Sequence, residues 1–72
     1  MSERLPILLE NSVQIAWDYL ERTGEIDDAA AASRFLASTI ENMIRDGERR
    51  RLILSNRAIT AFQHFRRDRN VA

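Results

Sequence analysis

Glycine occurs at only two positions, Gly24 and Gly47, and proline only at Pro6, and between these points the apolar residues return in steps of three and four. That spacing is the period of an amphipathic α-helix, not the alternation of a half-buried strand. Proline suits a first helical turn, where its fixed φ and missing N–H cost nothing. Glycine suits the left-handed position that closes a helix. Punctuation and periodicity thus divide the chain at the same places, which predicts an all-α, small three-helix bundle with helices at about 6–23, 28–46 and 55–67. No internal repeat, low-complexity segment or linker is visible, so residues 1–72 read as a single helical domain with a frayed tail at about 68–72.

In the first helix Leu9, Val13, Ala16, Trp17 and Leu20 form one apolar stripe, and Leu8, Ile15 and Tyr19 form a second line about 120° round at about 100° per residue. An apolar arc this wide exceeds what one neighbour covers, which places the helix between two others. In the second, Asp27 is the natural cap for the first-turn N–H groups, and Ala32, Leu36, Ile40, Met43 and Ile44 build a narrower stripe. Glu41 and Arg45 stand four apart in the favourable order for an ion pair.

The third helix is harder to start. Its stripe is Leu54, Ala58, Phe62 and Phe65, and extending the wheel backwards puts Arg51 in the middle of the apolar face. The spacing therefore predicts a start at about Leu54 or Ser55, with Ser55 as cap and Leu54 packing on Ile59 as a hydrophobic staple.

A chain of 72 residues removes only about 60% of its unfolded surface from water on folding, so the core must be thin. Without cysteine there is no disulfide or thiolate metal site to reinforce it. Helix packing has to supply the stability, completed on this reading by dimerisation. Trp17 belongs to the main stripe and reads as core. Phe35 falls about 60° outside the central arc of its helix, and Ile15 and Tyr19 lie on the second line of the first. Ile15, Tyr19 and Phe35 are the candidate contacts with a second subunit.

The formal net charge is zero, yet the charges are sorted along the chain. Residues 1–48 hold four arginines against ten acids, a net of −6, and residues 49–72 hold seven arginines against Asp68 alone, a net of +6. All eleven basic residues are arginine, the side chain that grips carboxylate or phosphate bidentately, although a GC-rich genome also produces this usage. Arg49, Arg50, Arg51 and Arg57 form the candidate anion or nucleic-acid contact. Against that reading, the balancing acids sit on the same small domain and no aromatic residue interleaves the run as a stacking platform. A helix-turn-helix also needs a turn of three or four residues, and the predicted gap is about seven.

Enzymatic chemistry finds little to work with. One histidine and no cysteine do not make a transition-metal site. Ser12, Ser33, Ser38 and Ser55 have only His64 as a base and no glycine-flanked elbow, and no glycine-rich loop cradles a phosphate. Glu25, Asp27 and Asp28 lack the spacing of a calcium loop. The expectation is a non-enzyme without cofactor, metal or catalytic residues. No apolar run approaches a membrane span of about 20 residues, and the polar start breaks off any signal-peptide core at Glu10 and Asn11, so the expected location is cytoplasmic.

The stretch Gly47-Glu48-Arg49-Arg50-Arg51-Leu52-Ile53-Leu54-Ser55-Asn56-Arg57-Ala58-Ile59, preceded by Thr23-Gly24-Glu25-Ile26-Asp27-Asp28, resembles a short family of uncharacterised helical proteins of alphaproteobacteria, over most of the chain. The resemblance implies a bacterial origin; the family carries no assigned activity, and the resemblance assigns no site residue. The expected function is accordingly a non-catalytic helical interaction or structural module acting as a homodimer, with an unidentified protein partner as a further option. The alternative is a small nucleic-acid-associated regulator using the arginine-rich segment 49–57.

Overall fold

The computed structural model describes residues 4–70. Three helices follow in order: α1 Leu5–Arg22, α2 Ala29–Arg45 and α3 Arg51–Asn70. Each packs on both others, so the two flanks of α1 face different neighbours, as its wide apolar arc requires. The fully buried line on α1 is Leu8, Ser12, Ala16 and Leu20, with Leu9, Val13 and Trp17 partly buried beside it. This is a correction to the expected stripe. The residues most removed from water point between α2 and α3, and that direction lies between the two apolar lines and contains Ser12, a position the apolar pattern skips.

Helix α2 buries Ala32, Leu36, Ile40 and Ile44, the expected stripe, with Met43 at its edge. Its cap is Asp28, not Asp27: the Asp28 carboxylate accepts the Ala31 N–H at 3.1 Å. Asp27 instead receives the Arg66 guanidinium at 2.7 Å. Arg66 also approaches Glu25 at 3.9 Å, and the Gln63 amide donates to Glu25 at 3.2 Å. The acids of the α1–α2 connection thereby tie down the last turns of α3. Phe35, Phe62 and Phe65 pack together at the same level, Phe35 stacked on Phe65 and edge-on to Phe62 with centroids 4.6 and 5.9 Å apart.

Both α1 and α2 close with the same device. Gly24 donates to the Glu21 carbonyl and Glu25 to that of Leu20; Gly47 donates to Ile44 and Glu48 to Met43. These paired bonds are the Schellman closure, and they require positive φ at the glycine, +75° at Gly24 and +107° at Gly47.

Helix α3 starts four residues earlier than the wheel predicts and persists beyond Arg67 to Asn70; residues 71–72 of the expected frayed tail lie outside the described residues. Leu54 N–H donates to the Arg50 carbonyl at 3.0 Å, which makes Arg50 the first half-helical residue. Ser55 is therefore interior and fully buried, its hydroxyl donating back to the Leu52 carbonyl at 3.1 Å. The phase of Arg51 is harmless because the core begins at Leu54: Arg51 lies in the first turn, at the end of the bundle, where it is exposed.

Candidate functional site

With short connections reversing the chain twice, the start of α1, the end of α2 and the start of α3 share one end of the bundle. Two features meet there.

The first is the α2–α3 turn. Arg49, Arg50 and Arg57 line a cleft of about 500 Å³ together with Glu48, Asp46 and the side chain of Met43. Glu48 organises it. Its carboxylate accepts the backbone N–H groups of Arg49 at 3.2 Å and Arg50 at 3.0 Å, and it pairs with the Arg50 guanidinium at 3.0 and 3.3 Å. The Arg50 side-chain hydrogen bond, reinforced by the backbone N–H groups, holds the Glu48 carboxyl down at about 2 from its ordinary 4.5 and pushes the Arg50 guanidinium up. Arg49 turns the other way, donating to the Ile44 carbonyl and, at 3.0 Å, to that of Glu48. A cation at this place also complements the carbonyl end of α2.

The four predicted arginines are thus divided. Arg49 and Arg50 are held by groups within their own turn, while Arg57, nearly two turns into α3, lines the same cleft and forms no ion pair with an acid among the described residues. Arg51 is exposed but does not line the cleft. The turn itself, residues 46–50, is longer than the three or four residues of a helix-turn-helix.

The second feature is apolar. Leu5, Pro6 and Leu9 of α1 and Ile44 of α2 line a cleft of about 320 Å³, rimmed by the Glu41–Arg45 pair. At the same end Leu5 and Ile7 are each 47% exposed and Leu52 of α3 is 66% exposed. Exposed single leucines are ordinary, but here Leu5 opens into an apolar cleft, and Ile7 and Leu52 are further exposed aliphatics at the same end of a small domain.

The predicted interface residues are distributed differently. Tyr19 is 43% exposed near the far end of α1, Ile15 is half-buried one turn before it, and the Phe35 ring is engaged by Phe62 and Phe65 of its own chain. Leu5, Ile7 and Leu52 were not singled out by periodicity. Leu5 precedes the only proline, and Leu52 lies in the stretch that the wheel assigns to a loop; the available signal was simply their size at positions off the core stripes.

Among the described residues, no group of three or more histidine, cysteine or acidic side chains is placed to hold a metal ion, and no helix is long and apolar enough to cross a membrane. His64 is exposed, and Ser12 and Ser55 are fully buried. No family model, curated protein or solved structure matches the chain.

Proposed function

We propose that the protein is a non-catalytic helical interaction module of the cytoplasm that works as a homodimer. The observation that carries this reading is the apolar end of the bundle, where the Leu5–Pro6–Leu9–Ile44 cleft lies open and Ile7 and Leu52 are exposed at the same end. A second copy is the occupant that suits it. Cleft and protruding leucine lie at one end of one molecule, so a two-fold arrangement lets each chain's Leu52 meet its partner's cleft, with every contact made twice. A thin core without cysteine gives the association a thermodynamic reason.

The nucleic-acid alternative rests on Arg49, Arg50 and Arg57 sharing a cleft. It is the weaker reading because Asp46 and Glu48 cut the cleft's charge to a net +1 and no aromatic ring lines it to stack a base.

Light scattering coupled to size-exclusion chromatography tests the proposal. The expected mass is twice the 8.4 kDa of the chain, falling to one chain in Leu52→Glu. A monomer at high micromolar concentration refutes it.

A further inference from the structure

The donors of the α2–α3 turn already hold an oxyanion, and it is the chain's own. Four N–H groups converge on the two oxygens of Glu48: the backbone of Arg49 and Arg50, and the Nε and Nη2 of Arg50. A phosphate group presents oxygens of the same kind to the same fork. Arg57 lines the same cleft without an acidic partner among the described residues.

We propose that this cleft binds a small phosphate species, the free ion or a small-molecule ester, with Arg57 and Arg50 as its ligands and Glu48 as the built-in competitor for the same donors. The low carboxyl pKa of Glu48 agrees with so strong a donor field. A small molecule fits better than a nucleic-acid strand for three reasons. The volume, about 500 Å³, is that of a small-ligand site. Three arginines against Asp46 and Glu48 leave the cleft a net +1, enough for one phosphate but unrewarding for an extended polyanion. No aromatic ring lines it to stack a base. The inference stands on the turn alone and is independent of the dimer proposal.

The test is an amide and arginine side-chain NMR titration of the whole protein at constant ionic strength, with inorganic phosphate, pyrophosphate, a phosphate ester, a single-stranded oligonucleotide and, as control, chloride. Pyrophosphate or the ester is expected to give saturable shifts confined to Gly47–Arg50 and the Arg57 guanidinium. Saturation by inorganic phosphate as tightly as by the ester identifies the free ion as the ligand, and tighter binding of the ester identifies an organic phosphate. Arg57→Gln should weaken binding about tenfold or more, the usual consequence of losing a charge-assisted hydrogen bond, and Glu48→Gln should tighten it. Arg57 is exposed and pairs with no described acid, so its variant keeps the fold and decides the matter even where Glu48→Gln does not fold. Equal shifts with chloride, an Arg57→Gln variant that binds as well as the parent, or an oligonucleotide that binds more tightly than pyrophosphate would each overturn the proposal.

Discussion

Replacing Ser12 by alanine should stabilise the protein. Ser12 is fully buried in the middle of α1, and its hydroxyl has no hydrogen-bond partner among the described residues. A buried polar group left unpaired costs about 1–3 kcal/mol, and alanine is the better helix former by about half a kcal/mol. Against these gains stands the void left by one oxygen, which forfeits a handful of contacts worth about 0.1–0.2 kcal/mol each. The balance favours alanine by about 1–2 kcal/mol, and in a domain of this size each kcal/mol moves the midpoint of thermal unfolding by about 4–8 °C. Circular dichroism melts and urea titrations of the parent and Ser12→Ala read this directly. Ser55→Ala is the internal control, since Ser55 is equally buried but its hydroxyl donates to the Leu52 carbonyl. There a lost hydrogen bond offsets the gain in propensity, and the change should stay within about 1 kcal/mol. A Ser12→Ala protein that melts lower than the parent would refute the reasoning, because the hydroxyl would then have to be bonded in the folded state.

Three further predictions follow from the packing and the turns. Leu54→Ala should cost about 2–5 kcal/mol, enough to leave so small a domain largely unfolded, whereas the neighbouring Leu52→Ala should change the stability of the single chain by no more than about 0.5 kcal/mol; chemical denaturation distinguishes fully buried Leu54 from exposed Leu52. Gly47→Ala should lose more than about 1 kcal/mol, since φ of +107° is a conformation L side chains rarely adopt although open space surrounds the position; the measurement is the shift in urea midpoint. Acid should weaken the start of α3. The Glu48 carboxyl is held at about 2 in the folded chain, below its ordinary value, so its stabilisation is complete above about 4.5 and is lost as the pH falls towards 2. Protection factors of the Arg49 and Arg50 amides, corrected for the pH dependence of intrinsic exchange, should fall as the pH drops across that window in the parent, and in Glu48→Gln they should be low throughout.

The three helices are legible in the sequence because apolar period and glycine placement are independent signals that agree. Gly24 and Gly47 each close a helix in the structure, and the α2 stripe from Ala32 to Ile44 is the buried one. Where the reading departs from the structure, a polar side chain does something periodicity does not register. Ser12 takes a core position because the space between two neighbours lies along its direction. Asp28 takes the cap and frees Asp27 for Arg66. Glu48, two residues ahead of the first half-helical position, satisfies the N–H groups of the turn, so α3 begins where no standard capping residue stands. The clefts depend on tertiary placement: Arg57 joins Arg49 and Arg50 only because the turn folds back on α2, and Leu5 meets Ile44 only because α1 and α2 run antiparallel.

The central claim, that the apolar end of this bundle joins two copies of the chain, is tested most directly by the solution mass of the parent beside Leu52→Glu and Ile7→Glu. At about 100 μM, a mass twice that of the single chain for the parent, and that of one chain for both variants with unchanged helical content, is the predicted result. A parent that stays a single chain at that concentration, or variants that remain dimeric, would contradict it.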